Sequence, residues 1–125
     1  MYWCFHCYGI NPLPTGPCER CGRSVEAPAG LSYDDRLAWV LRHPDGDRAI
    51  VAARVLGQRH ARGAVPALRA VISDGRDPYL AAEALRSLIA IEGSDRIHEL
   101  LEGLAACDSF MVAAVAQRAL AGSRP

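Results

Sequence analysis

The chain contains no lysine: all 14 of its basic side chains are arginine, and 14 acidic side chains bring the formal charge to zero. That absence excludes Schiff-base and lysine-nucleophile chemistry. No apolar run approaches the ~18 residues of a membrane span, so no membrane is expected as a partner. The opening stretch Met-Tyr-Trp-Cys-Phe-His-Cys has neither a basic n-region nor a long apolar h-region. Nothing there directs export, and a reducing cytoplasm is the expected setting. What is present is apolar: half of the 125 residues are hydrophobic. This suits a globular chain with one modest core, plus a small satellite that would need another source of stability.

Residues 3–23 hold four of the five cysteines as two Cys-x-x-Cys pairs, Cys4 with Cys7 and Cys18 with Cys21, ten residues apart. Paired thiolates on two tight turns can close a tetrahedral shell, and Zn²⁺ is the ion that most often fills an all-sulfur site of that shape. One structural zinc on Cys4, Cys7, Cys18 and Cys21 is therefore expected, with iron as the main rival. Two disulfides are the covalent alternative. They need an oxidising compartment that the opening residues do not indicate. A redox dithiol would require only one exposed pair, whereas a closed structural site requires two facing ones. His6, inside the first pair, could replace a sulfur, but four thiolates leave it pointing to solvent. Gly9 and Gly22 follow the second cysteine of each pair and are expected to let backbone N–H groups turn toward the sulfurs. Trp3, Phe5 and Tyr8 should cover this region or dock it on the next domain. The pattern over residues 2–27 resembles a zinc ribbon of rubredoxin-like knuckles, most closely in Cys18-Glu19-Arg20-Cys21-Gly22.

Residues 25–30, with Pro28 and Gly30, read as a linker, which divides the chain into residues 1–30 and 31–125. Ser32 with Asp35 forms a capping-box pattern that opens a helix with Leu37, Val40 and Leu41 on one face. From there the chain repeats itself. Ala52-Ala53-Arg54-Val55-Leu56 recurs as Ala81-Ala82-Glu83-Ala84-Leu85 and as Ala116-Gln117-Arg118-Ala119-Leu120. Val65-Pro66-Ala67-Leu68 has its counterpart in Ile97-His98-Glu99-Leu100. Six helices are expected, near 33–42, 47–61, 64–73, 78–91, 95–106 and 110–121, with Pro66 and Pro78 in first turns and Gly63 and Gly93 closing preceding helices. Alanines 52, 53, 81, 82, 84, 113, 114, 116 and 119 should let helices approach closely, with leucines such as Leu56, Leu68, Leu85, Leu88 and Leu101 filling the space between.

Residues 52–68 carry Ala-Ala-x-x-Leu-Gly and Ala-Val-Pro-Ala-Leu, and they resemble the HEAT-like repeats of the phycobilisome-lyase type. The resemblance extends over about 33–121. It implies an all-α fold, a short right-handed α-solenoid of about three helical hairpins after the ribbon, that binds other macromolecules through its faces. It does not imply lyase activity, and no acid, base and nucleophile set suggests an enzyme.

Isolated candidates read as structural. Cys107 could be a reactive thiol but is expected as a small buried hydrophobe. His43, His60 and His98 lie in different helical units and are expected at the surface or at helix ends. Trp39 should contact the ribbon, the alternative being an exposed anchor for a partner.

Charge is segregated. Residues 42–73 carry six arginines against two aspartates, +4, and residues 74–108 carry three arginines against eight acids, −5. A zinc-containing adaptor that presents a repeat surface to an unknown protein partner is one reading. Nucleic-acid binding through the ribbon and the arginines of 42–73 is the other. Arg54, Glu83 and Arg118 occupy equivalent places in successive repeats, so the ladder alternates in sign and favours the first. The last helix has polar side chains only at Gln117 and Arg118, which points to a homo-oligomer through the C-terminal helix.

Overall fold

The computed structural model describes residues 1–122, which separate into two compact units that meet in sequence between Ser32 and Tyr33. The first is built from very short pieces. Strands β1 (Tyr2–Trp3) and β2 (Ile10–Asn11) pair antiparallel, with Trp3 opposite Ile10. An isolated bridge joins Pro17 to Ser24. Val25 ties the two hairpins together, donating its N–H to Gly16 and accepting from the N–H of Phe5. Its side chain is buried with Cys4 and Cys18.

The second unit is helical: α1 (Tyr33–Val40), α2 (Gly46–Gln58), α3 (Val65–Asp74), α4 (Pro78–Glu92), α5 (His98–Leu104) and α6 (Phe110–Gly122). Helices α1, α3 and α5 pack on α2, α4 and α6 respectively, while α4 lies between α2 and α6. Three successive hairpins therefore form two layers, with α4 central. The caps follow local chemistry. Asp45 accepts from the Asp47 N–H at 3.0 Å, and Asp77 accepts from Tyr79 at 2.9 Å and Leu80 at 3.3 Å, just ahead of Pro78. Short polar side chains satisfy the orphan donors of the first turn.

The boundaries depart from the sequence reading in three places. Gly63 does not close α2. That helix stops at Gln58, His60 takes the left-handed conformation (φ 52), and the Ala61 N–H reaches back to the Leu56 carbonyl. This is the six-to-one hydrogen bond of a Schellman ending with histidine where glycine is usual. Gly63 instead lies in a 3-10 turn over Arg62–Ala64. Helix α5 is shorter than expected at both ends, starting at His98 after an Ile97 N-cap that offers no side-chain acceptor and stopping at Leu104. Helix α1 ends at Val40, and Leu41 just beyond it is buried.

The repeated alanines do what their size allows. Ala52, Ala53, Ala81, Ala82, Ala84 and Ala116 are buried among Leu56, Leu68, Leu85, Leu88 and Leu101. The close approach of α2 to α4 also depends on Gly57. A Cβ there would lie 2.5 Å from Ser87 Oγ and 2.8 Å from its Cα, and the Ser87 hydroxyl donates to the Ala53 carbonyl. Ala114 departs from its expected core role and is exposed.

Candidate metal centre

Two local turns of the same design build the centre. In the first, the Cys4 N–H donates to the Gly9 carbonyl at 2.8 Å, and its carbonyl accepts from Tyr8 at 3.0 Å. In the second, the Cys18 N–H donates to Arg23 at 2.7 Å, and its carbonyl accepts from Gly22 at 2.9 Å. The fourth residue after the leading cysteine must turn left-handed in both, at φ 61 for Tyr8 and φ 78 for Gly22. The expectation for the glycines holds in part: the Gly9 N–H turns to Cys7 Sγ, whereas the Gly22 N–H bonds the Cys18 carbonyl. Gly22 supplies backbone freedom, but in the first turn Tyr8 bears that strained conformation. Gly9 supplies space: a Cβ on it would stand 3.1 Å from Arg20 carbons and 3.2 Å from Cys7 Sγ.

These turns bring all four sulfurs within 4.8 Å of one another. Cys4 and Cys21 Sγ are 3.7 Å apart, as are Cys7 and Cys18 Sγ. A tetrahedral Zn–S₄ shell with bonds of about 2.3 Å has an edge of about 3.8 Å, whereas a disulfide needs about 2.05 Å. The spacing fits a shared ion, and the four cysteines could hold one.

Donors converge on the sulfurs as well. The His6, Gly9 and Arg20 N–H groups donate to Cys4, Cys7 and Cys18 Sγ, each at 3.3 Å. Asn11 is a contributor that the sequence reading missed. Buried on β2, it donates from Nδ2 to Cys18 Sγ at 3.4 Å and to the Gly9 carbonyl, while its Oδ1 accepts from the Glu19 N–H. One side chain therefore laces the two turns together. Only the pairing of the turns reveals this role.

The Cys21 N–H first, then the Asn11 amide and the Arg20 N–H, draw the Cys18 thiol down to about 6. The Gly9 N–H pulls Cys7 the same way, but burial and the neighbouring sulfurs of Cys18, Cys21 and Cys4 together outweigh it and push Cys7 up to about 11. Packing thiolates this closely penalises each further deprotonation, a penalty that a divalent cation removes. His6 is exposed, and its ring stands edge-on to Phe5 at 5.4 Å.

The other candidates scatter. Cys107 is half-buried, with its Sγ 3.6 Å from the Ser109 carbonyl. His60 and His98 are exposed, as expected. His43 is not a surface residue: it is 3% exposed, and its Nδ1 accepts from the Asp45 N–H at 2.9 Å. Burial, with Arg48 adding to it and Asp45 opposing, holds its pKa below the ordinary 6.5.

Three of the six arginines of residues 42–73, Arg48, Arg54 and Arg59, pair with a carboxylate. Arg54 meets Glu83 at 3.0 Å across α2 and α4, and Glu83 takes Arg86 at 3.0 Å as well. Arg59 pairs with Asp34 at 2.6 Å and lies over the Tyr33 ring. Among the described residues no helix is long and apolar enough to cross a membrane.

Comparison with known proteins adds one firm result. Over 82 residues the chain is 29% identical to the mouse (Mus musculus) protein Lethal(3)malignant brain tumor-like protein 4, a stretch that is 63% of this chain and only 13% of that protein. No solved structure matches the chain. HEAT repeats, in contrast, match residues 34–121, which takes in all six helices but for Tyr33 and Gly122. The chain belongs to the HEAT-repeat family.

Proposed function

We propose that this protein is a non-catalytic, zinc-containing adaptor: residues 31–125 form a short right-handed solenoid that presents a surface to a protein partner, and residues 1–30 form a zinc ribbon. Cys4, Cys7, Cys18 and Cys21 would be the ligands of one structural ion. When bound, zinc supplies a crosslink between the two turns. The chain itself supplies the N–H donors that stabilise thiolate and Asn11, which holds the turns in register. The HEAT match supports a scaffold role.

The observation that carries the choice of a protein over a nucleic acid is the Arg54–Glu83–Arg86 cluster. A phosphate backbone gains affinity by releasing counterions from unpaired positive charge, and here a carboxylate already sits between the guanidinium groups. Glu83 would also repel phosphate at the middle of the ladder. Gel-shift titration of the purified chain tests this. No micromolar binding is expected at physiological salt. A tight, salt-sensitive shift abolished by replacing Arg54, Arg59 and Arg62 with alanine would transfer the function to nucleic acid.

A further inference from the structure

We propose that the outer face of α6 joins two copies of this chain, antiparallel about a two-fold axis through Ala114. The proposal concerns a surface of the helical body and depends on neither the zinc assignment nor the adaptor reading.

Phe110 is 85% exposed, and Ala114 and Arg118 are exposed too. Spaced four residues apart, the three form one stripe along the helix. Beside the stripe, between α6 and α4, runs a groove of about 480 Å³, floored by Ile89, Met111 and Val115 and flanked by Arg86 and Arg118. An aromatic side chain left so open at the mouth of an apolar groove is suited to insertion into another surface.

The stripe is complementary to itself. Its amino-terminal end carries the Phe110 ring and, just before the helix, the exposed Asp108; its carboxy-terminal end carries Arg118. A two-fold operation at Ala114 exchanges these ends. It lays Phe110 against the Arg118 of the second copy, a cation–π pairing, with Asp108 beyond it to neutralise the same guanidinium. At the crossing, alanine meets alanine, the smallest side chain that still favours a helix, so the backbones can approach. Each copy offers its own groove to the other copy's phenyl ring, which makes the interface isologous and closed. A generic acidic partner would satisfy Arg118 but would leave the order of ring, alanine and guanidinium without a counterpart.

One helix and its groove make an interface smaller than the standard ~1,600 Å², so a reversible dimer in the micromolar range is expected. Sedimentation velocity of the full chain over a dilution series should show a monomer–dimer equilibrium. Phe110→Ser, at an exposed position that the fold does not need, should weaken the dimer about tenfold or more, as loss of an aromatic anchor does. Arg118→Asp should weaken it too, and combining it with Asp108→Arg should recover part of the loss by exchanging the charges of the ion pair, while the cation–π contact with Phe110 stays lost. A strict monomer at hundreds of micromolar would overturn the proposal and leave the groove to another protein. So would a dimer indifferent to Phe110→Ser, which would place the interface elsewhere. A dimer sensitive to Phe110→Ser in which the exchanged charges recover nothing beyond Arg118→Asp alone would overturn the antiparallel register. Circular dichroism of each variant, unchanged from the parent, ties any loss to the surface.

Discussion

Residues 1–32 bury little more than Cys4, Cys18 and Val25, with Cys7 against them, whereas the helical body buries a continuous set of leucines and alanines from Leu41 to Ala116. The first unit has sulfur where the second has hydrocarbon. Three buried side chains offer too little apolar area to offset the entropy of ordering thirty residues, so the turns need a further source of free energy. The body needs none beyond its core. The same comparison extends to backbone strain. The first unit holds Tyr8 left-handed within the sulfur cluster, while the body confines its left-handed residues to helix ends such as His60 and Gly75.

The largest effect expected from breaking this contrast is on the metal. Removing zinc with a chelator, or Cys18→Ser, should unfold residues 1–32, since metal contributes about 10–16 kcal/mol apparent in small zinc modules, while the helical far-UV signal persists. Elemental analysis should find one zinc per chain. Iron in its place, or less than half an equivalent of either metal, would refute the assignment. In the opposite direction, Leu85→Ala removes the side chain of a residue with no solvent exposure on the central helix. It should cost about 2–5 kcal/mol of body stability by thermal or denaturant unfolding and leave metal content unchanged. Loss of both together would mean that the two units fold as one.

Smaller effects sharpen the account of the body. Gly57→Ala should destabilise by about 1–3 kcal/mol, because the new methyl meets Ser87 backbone as well as its hydroxyl, and this overrides the better helix propensity of alanine. Ser87→Ala in the same chain should recover only part, since the clash with the backbone at position 87 remains. The smallest effect concerns His43. Because the fold lowers its pKa, the unfolded chain binds the proton more readily. Its contribution is therefore complete above the ordinary value of 6.5 and is lost as pH falls below it. His43→Asn keeps an acceptor for the Asp45 N–H and should flatten the decline in Tm over that acid window relative to the parent.

Much of this was legible because it depends on neighbours in sequence. The Cys-x-x-Cys spacing names the four sulfurs that the turns bring together, and the recurring Ala-Ala-x-x-Leu units name the helices that stack. Pro78 after Asp77 marks a helix start, and the structure caps it there. Legibility failed where a residue's role is set by a distant segment. Asn11 carried no signal in sequence because its partners, Cys18 and Glu19, lie on the other turn. His43 looked like a helix-end residue because nothing local predicts that it is buried.

The sequence by itself determined the pairing of the four cysteines, the helical periodicity and the alternation of charge at Arg54 and Glu83, since residue type and spacing carry all three. Only the tertiary structure decided which glycine yields space and which yields backbone freedom. Gly9 and Gly22 are alike on paper, but a Cβ on Gly9 would strike Arg20 and a Cβ on Gly22 would meet nothing. It also decided that Ala114 faces out while Ala116 is buried. Two positions along a helix is a rotation of about 200°, and which side is inward depends on where α4 and α5 lie against α6.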